Sequence, residues 1–179
     1  YNGSKRWWDM YSDNIYLIRG GESALGSFSR NRMQREHSVP KSWWKKSGSV
    51  DYTPAYSDLW NLYPSDGPAN QAKLNYAFGE CSSATFDNGV SKIGPARTGM
   101  GGGSGNVFEP DDRYKGDFAR AIFYMATVYD DLPWAINYMF QSNSYPTLRA
   151  WAVDMLLQWS RMDPVDEKEK VRNDAVQNA

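Results

Sequence analysis

Past residue 110 the apolar positions fall at helical spacing. In KGDFARAIFYMATVYD, residues 115–130, Phe118, Ile122, Met125 and Tyr129 recur three or four apart and share one face. In TLRAWAVDMLLQWSR, residues 147–161, Leu148, Trp151, Ala152, Met155 and Trp159 do the same. A third helix is expected in MDPVDEKEKVRNDAVQ, residues 162–177, on start signals rather than an apolar face. Asp163 can cap it, Pro164 suits its first position, and Asp166 and Glu167 complement the positive end of its dipole. DEKEK is then a solvated face. Before residue 110 no period persists. WWDMYSD and NIYLIRG read as short strands, and GGESALGSFSRNRMQ as loop. Residues 50–68 read as irregular, punctuated by Pro54, Pro64 and Pro68. Pro68 opens a short helix expected to run to residue 78. Residues 87–107 read as loop or hairpin, with a flexible TGMGGGSGN. Strands and loops first, helices last, with no βαβ alternation, predict an α+β fold.

Composition narrows the picture. At 179 residues one domain, 1–179, is expected, with a large enough core. Within it a site-bearing part falls at about residues 30–80 and a helical part at about 112–178. Aromatic residues make up 15%, which serves either a core or a surface that stacks on bases or sugars. A net charge of −1 removes any global basic field, so only a local basic face can serve nucleic acid. Cys81 is the single cysteine, so no intrachain disulfide forms, and a partly buried free thiol is expected. No apolar run is long enough to span a bilayer, and no signal-peptide pattern opens the chain. The glycine run near residue 101 lacks the lysine of a phosphate loop.

The chemistry concentrates in REHSVPKSWW, residues 35–44, which holds the chain's one histidine. A neutral imidazole is a natural general base near pH 7, and Glu36 is a hard oxygen donor suited to Mg²⁺ or Ca²⁺. On an undistorted strand Glu36 and His37 would diverge, but Pro40 makes irregular backbone plausible. A single histidine in one domain is usually structural or on the surface. In DLWNLYPSDGPANQAKLNYAFGE, residues 58–80, Asn61, Asn70 and Asn75 offer neutral carbonyl oxygens to a hard cation, although spacing alone favours turn chemistry for them. The tryptophans of SWW should pack beneath the Glu36–His37 strand. Glu109 either neighbours the site or is a polar residue ahead of the helix.

These stretches, followed in order by FEPDDRYKGDFARAIFYMATVY and LLQWSRMDPVDEKEKVRNDAVQ, resemble the bacterial endonuclease I family from about residue 7 onward. The resemblance implies a ββα-metal (His-Me finger) core within a mixed domain. It implies an extracytoplasmic, non-specific nuclease that cuts DNA, and often RNA, leaving 5′-phosphate ends. It puts His37 as general base, Glu36 and Asn61 on one Mg²⁺ (with Ca²⁺ or Mn²⁺ as substitutes), and Lys73 and Arg120 on phosphates. Trp60, Asn70, Asn75 and Glu109 fall where they could support that site. No membrane or protein partner is implied. Two departures stand out: Trp60 replaces the family's histidine in DLHN, and Ala77 the proline in NYPFG. Trp60 keeps a rival open, an inactive relative that binds nucleic acid or glycan through exposed aromatics. Adjacent residues diverge in either regular structure, so Trp60 is expected to point away from the ion and into packing beside the site.

Overall fold

The computed structural model describes residues 5–17, 33–44, 50, 51, 53–101, 105–134, 139–142 and 144–179. Its architecture is α+β. Strand β1 (Met33–His37) pairs antiparallel with β2 (Leu62–Asp66), with Glu36 opposite Tyr63 and His37 opposite Leu62. The short helix α1 (Pro54–Ser57) lies in the connection, and α2 (Gly67–Lys73) follows β2 directly. Together these make a ββα unit. Asp66 closes β2 and caps α2, its carboxylate accepting the Ala69 amide at 2.9 Å. Pro64 breaks no ladder here, because each strand of a two-stranded sheet has a free edge.

A second sheet has the order β3-β6-β5-β4. Its strands are β3 (Ala77–Phe78), β4 (Phe86–Asp87), β5 (Ser91–Pro95) and β6 (Asn106–Pro110). The β3–β6 pair is parallel and the others antiparallel. Helices α3 (Lys115–Val128) and α4 (Ala150–Met162) pack on each other, and α5 (Glu167–Gln177) closes the chain. Gly116 permits the close approach of α3 to the end of α4. A Cβ there would stand 1.9 Å from the Asp163 carbonyl.

The helical periodicity carries over into packing: Phe118, Ile122, Met125, Ala152 and Trp159 are fully buried. Tyr11, Phe78, Phe108 and Phe118 form one ring cluster with centroids 5.3–5.9 Å apart. Much of the aromatic excess is therefore core. Trp43 and Trp44 are buried as expected, Trp44 standing edge-on to His37 at 5.9 Å.

Several sequence expectations give way. WWDMYSD forms no strand, and residues 5–17 carry only an Arg6–Leu17 bridge. The supposedly irregular 50–68 contains α1 and β2, and the helix opened at Pro68 ends at Lys73, not residue 78. The last helix starts at Glu167 under an Asp166 cap. Asp163 instead ends α4 and accepts the Gly116 amide at 2.8 Å. Residues 18–20 of NIYLIRG, all of GGESALGSFSRNRMQ before Met33, and residues 102–104 lie outside the described residues. Of the expected 87–107 region, β5 and β6 make an antiparallel pair.

Candidate functional site

The ββα unit brings Glu36 and His37 to one cavity of about 410 Å³, whose lining includes Arg35, Lys41, Tyr56, Asn70 and Leu74. The pair can share a cavity because β1 stops at His37. Asn61 then clamps the turn: its Oδ1 accepts the Ser38 hydroxyl at 2.8 Å and the Val39 amide at 2.9 Å, and its Nδ2 donates to the Val39 carbonyl. Asn61 is fully buried, and both ends of its amide are committed to these bonds. In this arrangement Asn61 holds the turn after β1 rather than lining the cavity. Asn70, placed by the sequence only in a supporting position, lines the cavity from α2 instead. It donates to the Gln34 amide oxygen at 2.9 Å, and its amide favours the charged form of Glu36.

His37 Nε2 stands 2.8 Å from the Tyr56 carbonyl oxygen. A carbonyl only accepts, so Nε2 carries the proton of the neutral ring and Nδ1 is left as the base. Burial pushes the imidazole below its ordinary range. The Tyr56 bond opposes this, and the positive charges of Lys41, Arg35 and Lys73 reinforce it. The ring packs against Tyr56 at 5.0 Å and Trp44 at 5.9 Å, which fixes its plane.

Glu36 Oε1 pairs with Lys73 Nζ at 2.9 Å, and Lys73 is wholly buried, its Nζ lying over the Phe78 and Phe108 rings. Burial raises the Glu36 carboxyl above its ordinary range, against the pull of Lys73. Lys73 therefore cannot reach a phosphate in this arrangement, and it sets the charge and position of Glu36. Arg120 also lies outside the Glu36–His37 cavity. Its guanidinium grips Glu169 at 2.7 and 2.5 Å and donates to the Asp163 carbonyl, tying α3 to α5. The cations on the cavity are Arg35 and Lys41, both exposed and neither ion-paired among the described residues. Lys41 Nζ lies 5.4 Å over the Tyr56 ring. The signal for these two was in REHSVPK itself: they bracket the Glu-His pair.

Trp60 lies outside this cavity. It packs on Tyr124 at 5.4 Å and donates to Asn173, beside a second cavity of about 450 Å³ between α3 and α5. Glu109 is also remote: it accepts the Cys81 amide at 2.7 Å and pairs with Lys115, which in turn pairs with buried Glu80. Asn75 does belong to the cavity, at its rim, donating to Ser42 at 3.3 Å.

Among the described residues no three His, Cys, Asp or Glu side chains converge on a metal-sized site. A cation here would meet one carboxylate, Glu36, with the Asn70 amide beside it. That donor set fits a hard divalent ion that keeps much of its water, and it fits poorly a soft metal wanting several nitrogen or sulfur ligands.

Fold and cavity define an α+β domain that presents a carboxylate–imidazole pair from a ββα unit. The family model for endonuclease I matches residues 1–179, and the chain belongs to that family. It is 36% identical over 174 residues to an extracellular ribonuclease of Bacillus amyloliquefaciens and 30% identical over 174 residues to one of Bacillus subtilis. Each alignment covers 92% of this chain and 54% of the relative. An endonuclease-1 of Buchnera aphidicola is 30% identical over 112 residues, 55% of this chain and 42% of that protein. The chain thus spans about half the length of the curated relatives it matches.

Proposed function

We propose that this domain is an endonuclease that hydrolyses phosphodiester bonds in DNA and RNA with little sequence preference, and that it works outside the cytoplasm. The observation that carries the reading is the Nε2 bond of His37 to the Tyr56 carbonyl, which leaves Nδ1 of a pocket-lining imidazole as a base. Nδ1 takes a proton from water, the water oxygen attacks phosphorus, and the P–O3′ bond breaks, the leaving 3′-oxygen taking a proton from a second water, to give a 5′-phosphate and a 3′-hydroxyl. Glu36 and Asn70 would hold one Mg²⁺, which when bound stabilises the charge that develops on the phosphoryl and leaving oxygens. Lys73 keeps the Glu36 carboxylate in place, and Arg35 and Lys41 hold neighbouring phosphates, which confers position without base preference. RNA enters the substrate range through the two relatives named extracellular ribonucleases, and so does the extracellular setting. The rival reading, an inactive binding relative, rested on Trp60, which packs away from the Glu36–His37 cavity.

The test is cleavage of plasmid DNA and of a labelled RNA with Mg²⁺ and with excess chelator, followed by end analysis. Chelator-sensitive cutting of both to 5′-phosphate ends is expected. No cutting in either tube, or equal cutting in both, overturns the reading.

A further inference from the structure

Leu74 is the only non-glycine residue with a positive φ among the described residues, at φ 49° and ψ −131°. A side chain is disfavoured there by its Cβ, and glycine is the residue that adopts such backbone freely. The turn itself is well determined from both sides. The Leu74 amide bonds the Asn70 carbonyl, Lys73 runs inward to Glu36, and Asn75 is tied to Ser42 and to the Trp43 indole. Glycine would make the same turn without strain.

The leucine does not offset that strain by packing, because it is 59% exposed. A lone exposed leucine is ordinary on a protein surface. An exposed leucine held in left-handed backbone, on the wall of the cavity that holds Glu36 and His37, is not. Strained positions of this kind concentrate where a side chain serves a ligand. The cations of the cavity, Arg35 and Lys41, offer themselves to phosphates. Leu74 offers an isobutyl group, which has nothing to give a phosphate and matches only the apolar face of a sugar or base.

We propose that Leu74 is a specificity-determining residue that lies against an unstacked nucleoside beside the scissile phosphate, and so favours single-stranded over duplex substrate. In a duplex the base faces are stacked on one another and the strand presents phosphate and sugar. In a single strand a base is free to turn onto the leucine. This rests on the nuclease reading above.

The experiment compares wild type, Leu74→Gly and Leu74→Met on one labelled sequence offered as a single strand and as a duplex, with kcat and KM measured separately and Tm recorded for each protein. Leu74→Gly should melt at or above the wild-type temperature, because glycine relieves the backbone. It should lose about threefold to tenfold in kcat/KM on the single strand, the scale of uncovering part of a leucine side chain. The loss should fall mainly in KM, with the duplex little changed. Leu74→Met should keep the wild-type preference. An unchanged single-strand to duplex ratio in Leu74→Gly, an equal loss on both substrates, or a lower Tm overturns the role of Leu74 while leaving the nuclease reading standing. A wild type that cuts neither substrate overturns both.

Discussion

His37, Glu36 and Asn70 can be separated by what each loses. His37→Ala should lose about 10²–10⁴ in rate, the usual size for a general base, with metal affinity by calorimetry nearly unchanged. Asn70→Ala should weaken metal binding and leave Tm close to wild type, since the residue is only half-buried. Asn61→Ala should do the reverse. It strands the buried Val39 amide and Ser38 hydroxyl, at about 1–3 kcal/mol for each group left unpaired. Equal metal affinity in Asn70→Ala and wild type would count against the ligand set. Glu36→Ala should cost stability as well as metal, about 3–5 kcal/mol by denaturant titration, because Lys73 would be left buried and unpaired. Adding Lys73→Met should recover stability without recovering metal binding.

At the scale of elements, α5 is the loosely held piece. None of its residues is buried. It is fastened by the Arg120–Glu169 pair and by Arg172, which lies 4.1 Å over the Tyr63 ring and donates to the Leu59 and Leu62 carbonyls. Glu169→Ala should therefore speed amide exchange in residues 167–177 while α3 and α4 keep their protection. Beside this joint sits Asp117, buried, with Oδ1 unpartnered, its carboxyl pushed up to about 8 by burial and then by Glu169 and Asp163. A folded value above the unfolded 3.8 means that the native state holds this proton more tightly. The associated stability is full below the unfolded value and is lost as pH rises through about 8. Asp117→Asn, which mimics the neutral acid, should raise Tm at pH 9 and change it little at pH 5. A gap of the same size at both pH values would contradict a raised carboxyl.

For the whole molecule the controlling quantity is charge. A net charge of −1 leaves nucleic-acid binding to a few local cations. Two of them, Arg35 and Lys41, flank the candidate site. Replacing both with alanine should make the log–log salt dependence of oligonucleotide binding shallower by about 1.4–1.8, two phosphates' worth of counterions. Anisotropy titrations in chelator at several salt concentrations measure this. An unchanged slope would place the phosphate contacts elsewhere.

What the sequence determined by itself was whatever depends on local spacing. The faces of α3 and α4 were legible because Phe118, Ile122, Met125 and Trp159 sit a helical turn apart, and one face suffices to predict burial. The Glu36–His37 pair stood out through the ordered stretches that resemble the endonuclease I family, since a lone histidine by itself is more often structural. The tertiary structure decided everything that depends on which groups meet. β2 was hidden because Pro64 and the turn residues around it look like loop until Met33–His37 supplies a partner strand. Asn61 and Asn70 are chemically identical in sequence. One is consumed by the Ser38 hydroxyl and the Val39 backbone and the other is left on the cavity beside Glu36, a difference made by contacts 22 to 36 residues apart in sequence. Lys73 and Arg120 read as phosphate ligands from their positions in the family resemblance, and a cation in sequence carries no record of its counterion. Folding gave them Glu36 and Glu169, and left Arg35 and Lys41 exposed on the cavity that holds Glu36 and His37.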